Sequence, residues 1–350
     1  MTDSADRVLI IAEVGVNHNG DMALAKKIVD AIATTDVDVI KFQTAVPELL
    51  MSVSTPKAEY QKATTGEAQS AIEMIAELQF TADQFIELKA YVESVGKVFL
   101  STAFDHLSLA FLSDIGLRLF KIPSGEITNL PYLRDVARRA DDIILSTGMS
   151  QLSEVDAALS AIVSEGFPRE RITVLQCNTA YPSPISDTNL RAMVNMGRTL
   201  EVMYGYSDHT EGISASVAAV ALGARVIEKH VTTDRNLPGP DQHASMEPAD
   251  FALLVSTIRE IEQALGSPDK RVSESERINI PIARRGLYAA RDIAAGSVIS
   301  EDDLVALRPE AEVSPMAFDV VVGATTSRSF DRHEAISLSG LVVANDASSA

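Results

Sequence analysis

A chain of 350 residues, 46% hydrophobic and 23% charged, can bury the core of a barrel of about 250 residues and still supply a smaller unit. Its formal charge of −19 repels phosphate backbones and argues against a nucleic-acid partner. One cysteine, Cys177, rules out an intrachain disulfide; no apolar run reaches the length of a membrane span, and the start MTDSADR has no secretion-signal profile, so a cytosolic protein is expected.

In chain order, short β-branched runs alternate with segments of helical spacing. The runs are VLIIAEVGVN from residue 8, DVIKFQT from 38, KVFLSTAF from 97, LRLFKIPSG from 117, DIILSTG from 142, ITVLQCNT from 172, EVMYGYSD from 201 and ARVIEKHVT from 224. Between them lie MALAKKIVDAIATT, TADQFIELKAYVESVG and SEVDAALSAIVSEG, several opened by Ser, Thr or Asp and closed by Gly, and the last repeat ends in PADFALLVSTIREIEQALG. Eight such repeats, with no GxGxxG after the first strand, predict a (β/α)8 TIM barrel over residues 1–266 in preference to a doubly wound open sheet. The connection of residues 45–80 is unusually long, the profile of a lid, a binding loop or an oligomer contact. Residues 267–284 are polar and Pro-punctuated, as in a linker. Residues 285–350 read as a small mixed domain with one short helix begun at Ser300 or Glu301 and a frayed tail, VVANDASSA.

In a parallel barrel the functional groups come from the C-terminal ends of the strands. Here every strand end carries polar residues: Glu13, Lys41 with Gln43, Thr102, Lys121 with Ser124, Ser146, Asn178, Ser207 with His209, and Glu228 with His230. Because strand side chains alternate, each of the pairs 41/43, 207/209 and 228/230 projects to one side. Singly, each has an ordinary explanation as a solvated rim residue or turn former. Together they suggest that Lys41 and Lys121, with hydroxyl donors, take a compact dianion such as a phosphate and carboxylate. His209 and His230 can bring two neutral imidazoles to one divalent cation. Glu13 and Glu126 are acid–base candidates, Asp208 reads equally well as a loop cap, and Cys177 is expected to be a buried inert thiol.

The segments IAEVGVNHNGD, VIKFQT, FKIPSGEITNLPYL, ILSTGMS, YGYSDHT, ALGARVIEKH and GPDQHAS resemble, in order and spacing, the motifs of the sialic acid synthase family, and residues 285–341 resemble its antifreeze-like (SAF) domain. The resemblance implies condensation of phosphoenolpyruvate with the open-chain aldehyde of an N-acetylated mannose-type sugar, with release of phosphate and help from Mn2+ or Mg2+. It assigns His209 and His230 to the metal, and Lys41, Thr102, Lys121, Ser124, Ser146 and Ser207 to phosphoenolpyruvate. Glu13, Gln43, Glu126, Tyr181 and Asp241 fall around the sugar and the reacting carbons. It also implies a domain-swapped homodimer in which Arg308 touches the N-acetyl group of the sugar. The chain departs from the family pattern at STAFD, GPDQ and RPEAE, where STPFD, GPDH and RPG are usual. The connection STPKAEYQKATTGEAQSAIEM looks more like that of N,N'-diacetyllegionaminate synthases than of N-acetylneuraminate synthases. Two rival readings are a Schiff-base aldolase using Lys41 or Lys121 and a non-catalytic carbohydrate-binding protein.

Overall fold

The computed structural model describes residues 7–52, 54–58, 61–62 and 69–342. The first six residues, the tail from 343 and residues 53, 59–60 and 63–68 of the long connection lie outside these described residues. The chain divides into two compact units between Gly266 and Ser267. Among the described residues no helix is long and apolar enough to cross a membrane.

The first unit is built on eight parallel strands: β1 Leu9–Gly15, β2 Val39–Thr44, β3 Val98–Ala103, β4 Leu119–Ile122, β5 Asp142–Ser146, β6 Ile172–Cys177, β7 Met203–Asp208 and β8 Val226–His230. They pair in the order β3-β2-β1-β8-β7-β6-β5-β4, and the two ends, β3 and β4, lie against each other. The sheet therefore comes nearly full circle as a TIM-like barrel ringed by helices. Ile10, Ile11, Ala12 and Val14 of β1 are all fully buried, because a strand filled from inside and covered from outside has no solvent face.

Local chemistry sets the element ends. The Asp21 side chain accepts from the Ala23 amide at 2.7 Å and opens the helix Met22–Ala33. Thr81 and Gln84 cap each other's backbone at the start of the helix Ala82–Ser94. Six of the eight strands stop earlier than their sequence runs, and at β1 and β4 the cause is a single residue. β1 ends at Gly15, whose φ of +57° turns the chain out of the sheet, and β4 ends at Ile122 because Pro123 has no N–H for the ladder. Among its described residues, the long connection includes the helices Pro47–Leu50 and Ala71–Leu78.

Alternation sorts neighbouring residues at the ends of β7 and β8. Ser207, His209, Glu228 and His230 line the cavity at the barrel mouth, whereas Asp208 and Lys229, paired in register between them, form a buried ion pair of 2.8 Å. Asp208 also accepts from the Thr210 amide and hydroxyl and from Ser216, while Lys229 donates to the Thr210 carbonyl. Asp208 is thus a loop and helix anchor whose oxygens are committed, and it braces the two histidine-bearing strand ends from behind.

In the second unit, the stretch 267–284 carries two single-turn helices, Glu274–Arg277 and Ile280–Ala283. Two antiparallel pairs follow, Gly286–Ala289 with Leu304–Leu307 and Thr325–Thr326 with Leu341–Val342. Leu287, Ile293, Ile299, Phe330 and Ile336 form a small core of their own. Ser300 caps a 3-10 turn, Glu301–Asp303, where a short helix is expected from the sequence.

Breaking a buried pair by removing one partner leaves an uncompensated charge, which costs about 3–5 kcal/mol. Lys229→Met is expected to lose stability of that order in urea denaturation, and the Asp208→Asn/Lys229→Met double variant to recover a large part of it.

Candidate active site

At the C-terminal ends of the strands lies a cavity of about 290 Å3, at the small end of ligand pockets. Twelve of the fourteen expected site residues line it: Glu13, Lys41, Gln43, Thr102, Lys121, Ser124, Ser146, Tyr181, Ser207, His209, His230 and Asp241. Glu126 does not; half-buried, it accepts a hydrogen bond from Asn129 Nδ2 at 2.6 Å. Arg308 is in the second unit, exposed and without an ion pair among the described residues. The local pairing with an acid that would be the ordinary explanation for that arginine is absent there.

The floor of the cavity is a cluster of four buried charged side chains. Lys41 Nζ lies 2.8 Å from Glu13 and 3.5 Å from Glu228, and Lys121 Nζ lies 3.4 Å from the other oxygen of Glu228. Lys41 also donates to Thr102 Oγ1 at 3.1 Å, Gln43 Nε2 to Glu13 at 2.8 Å, and Ser207 Oγ to Glu228 at 3.0 Å. Register explains the meeting, since Glu13 stands opposite Lys41 on one side and His230 on the other, and Ser207 stands opposite Glu228. Glu228 is visible in the sequence at a strand end, but its bridging of both lysines depends on barrel closure and has no sequence signal.

The two carboxyls differ in electrostatics. Burial raises Glu13 to about 7, against the opposing pull of Lys41. Burial acts on Glu228 in the same direction, but Lys121 and Lys41 outweigh it and hold that carboxyl down at about 2. Burial also lowers Lys121, whereas the carboxylates beside Lys41 overcome its burial and raise it. One acid is therefore poised near neutrality while the other stays ionised, the separation expected where two carboxyls have different tasks.

His209 and His230 are both buried, with ring centroids 5.4 Å apart, and Tyr181 packs 4.1 Å from the first ring and 5.6 Å from the second. Burial lowers His209 to about 4 and His230 well below its ordinary value, so both rings are neutral. His209 Nδ1–H donates to the Asn178 carbonyl, which fixes the tautomer and leaves Nε2 as a lone-pair donor. His230 Nδ1 has no hydrogen-bond partner among the described residues. Two neutral imidazoles in this arrangement fit a divalent cation. Among the described residues no third His, Cys, Asp or Glu completes a metal-holding group, so water and substrate would fill the remaining positions.

Ser146 Oγ is buried without a partner among the described residues, and Ser124 Oγ accepts from the Gly148 amide at 2.9 Å. A side chain at Gly148 would meet Thr179 at 2.7 Å and Ser124 at 2.8 Å, so glycine is required there. Cys177 is buried as expected, yet it lines the cavity with Sγ 3.2 Å from Ser124 Oγ. Burial raises Asp241 to about 6. Next to it, Gln242 is locked between Thr232 and the Asn17 carbonyl, while His243 is exposed and outside the cavity lining.

Residues 28–270 match the NeuB family and residues 284–342 the SAF domain. The N,N'-diacetyllegionaminic acid synthase of Campylobacter jejuni is 43% identical to this chain, over 94% of it and 99% of the relative. The Legionella pneumophila protein of the same name is 41% identical, over 91% and 90%. The crystal structure of N-acetylneuraminic acid (sialic acid) synthetase from Leptospira borgpetersenii is 34% identical, with a TM-score of 0.68 over 78% of this chain and 90% of that one.

For Glu13 the sign of the pH effect is fixed by its raised value. Folding favours the protonated form, so its stabilising contribution is complete below the ordinary 4.5 and is lost as pH rises through about 7. Glu13→Gln stays neutral, and urea denaturation at pH 5 and pH 8 is expected to show stability shifting in the variant's favour at the higher pH. An unchanged difference between the two proteins would mean that Glu13 is already ionised at pH 5.

Proposed function

This chain belongs to the NeuB family, and from that premise we propose that it condenses phosphoenolpyruvate with the open-chain aldehyde of an N-acetylated mannose-type sugar, releasing phosphate. The acceptor is N-acetylmannosamine or 2,4-diacetamido-2,4,6-trideoxymannose, and the product is a nine-carbon keto-sugar acid. One observation carries the reading: two ammonium groups, two neutral imidazoles and a carboxyl raised to about 7 share one buried cavity.

In this mechanism Lys41 and Lys121 neutralise the phosphate and carboxylate of phosphoenolpyruvate, and the hydroxyls of Thr102, Ser124, Ser146 and Ser207 orient them. Gln43 fixes the carboxyl of Glu13, which is close enough to neutrality to give a proton to the aldehyde oxygen as the new carbon–carbon bond forms. Water captures the cationic carbon left on the enol ester and gives a proton back to the Glu13 carboxylate; the resulting hydroxyl then forms the keto group as carbon–oxygen cleavage expels phosphate with the hydroxyl proton. Glu13 is the better of the two acid–base candidates, because Glu126 does not line the cavity. Tyr181 and Asp241 flank the sugar. His209 and His230 would hold Mn2+ or Mg2+, which when bound supplies polarisation of the aldehyde. The homodimer, with Arg308 contacting the N-acetyl group, and a cytosolic location belong to the same proposal.

Phosphate release from phosphoenolpyruvate is expected only with an N-acetylated sugar and without EDTA. His209→Ala and His230→Ala are expected to abolish it while circular dichroism stays unchanged, and Lys121→Ala to raise the KM for phosphoenolpyruvate by orders of magnitude. Full activity in either histidine variant would remove the metal assignment. Borohydride trapping of a pyruvate adduct on Lys41 or Lys121, with no effect of chelator, would replace the whole reading by the Schiff-base one.

A further inference from the structure

The charged floor accounts for only part of the cavity. Leu50, Met74, Ile75 and Leu78 also line it, beside Gln61 and Gln79, whose carboxamide oxygens accept from the Ala58 and Ala45 amides, and the proposed reaction gives the four apolar side chains no task. All four come from the connection that leaves the end of β2. Leu50 closes the helix Pro47–Leu50, and positions 74, 75 and 78 share one face of the helix Ala71–Leu78. The two helices pack on each other. None of the four belongs to the apolar core of the barrel; Leu50, Ile75 and Leu78 are only half-buried.

The wall is tied to the strand ends at several points. The Ala45 amide donates to Gln79 Oε1 at 2.9 Å and the Val46 amide to Asp105 Oδ2 at 2.7 Å. Phe80, which ends the connection, stacks on His18 with ring centroids 4.1 Å apart. These contacts place the wall beside the ends of β1, β2 and β3. The aldehyde carbon has to meet the lysines and imidazoles at the floor, so the far end of an acceptor extends toward the rim and this wall.

We propose that the Leu50, Met74, Ile75 and Leu78 wall selects the acceptor. It favours an aldose that has lost its terminal hydroxyl and carries a second N-acyl group, against one with hydroxyls at those positions. The proposal rests on the condensation proposed above. Its physical basis is that a hydroxyl against aliphatic side chains gives up water without gaining a partner, whereas a methyl or acyl methyl is buried favourably. An aliphatic surface discriminates modestly, by about 10–200-fold, so a preference is expected rather than exclusion.

The test measures phosphate release by the full-length protein with saturating phosphoenolpyruvate and Mn2+, comparing 2,4-diacetamido-2,4,6-trideoxymannose with N-acetylmannosamine. The wild type is expected to favour the first sugar by about 10–200-fold in kcat/KM, and Ile75→Gln and Leu78→Gln each to lower that ratio about tenfold. Ile75→Leu is expected to keep the wild-type ratio, and thermal unfolding checks that each half-buried position tolerates its change. A ratio that moves less than twofold in both glutamine variants overturns the proposal. If the wild type turned over neither sugar, the condensation reading would fall. Calorimetric binding of the two sugars to the wild type and to Leu78→Gln would then still decide the wall, an unchanged order of affinity overturning it and a lost preference for the diacetamido sugar supporting it.

Discussion

The rest of the site depends on one arrangement: two lysine ammonium groups and two glutamate carboxyls held out of water at the mouth of a nearly closed barrel. Such a cluster adds little to stability, because the cost of taking its charged groups out of water offsets most of their attraction. Its effect is to set the charge state of the cavity before any ligand arrives. Glu228 lies against both lysines and stays ionised, while Glu13, paired to Lys41 alone, is raised to about 7. A chain with a net charge of −19 thereby keeps a local pair of cations where an anion can be received.

Barrel geometry makes this arrangement hold its shape. Adjacent strands in register set Glu13 beside both Lys41 and His230, and period-two alternation turns every second residue away from the cavity. The residues turned away are used as well. Asp208 and Lys229 lock the ends of β7 and β8 from behind, so that His209 and His230 are supported by a buried ion pair instead of by solvent. Charged residues on both sides of the same two strand ends thus serve separate purposes, one facing the cavity and one bracing it.

The cavity joins two kinds of surface with different origins. Its floor is made from strand ends and carries groups suited to bond making, while its apolar wall comes from the connection after β2. A change in that connection can alter what sits against the wall without disturbing the strand register that sets the floor. This separation matches the general behaviour of barrels, in which the strands keep the chemistry and the loops vary the substrate.

The sequence by itself determined the repeat of strand and helix, the caps at Asp21 and Thr81, and the set of polar residues at the strand ends. These features arise from local periodicity and from short-range hydrogen bonding, which read directly from neighbouring residues. It ran six strands too far, β1 and β4 among them, because apolar pattern alone does not register where Gly15 turns or where Pro123 stops the ladder. Residues 267–284 read as a linker, and the structure adds two single-turn helices within them; residues 45–80 read as a lid, a binding loop or an oligomer contact, and the structure adds that two of its helices line the cavity. Only the tertiary structure decided that Glu228 bridges the lysines, that Glu126 does not line the cavity, and that Leu50 and Leu78 do. Those facts depend on which residues distant in the chain meet when the sheet closes, and closure is a property of eight strands packed together that no single segment encodes.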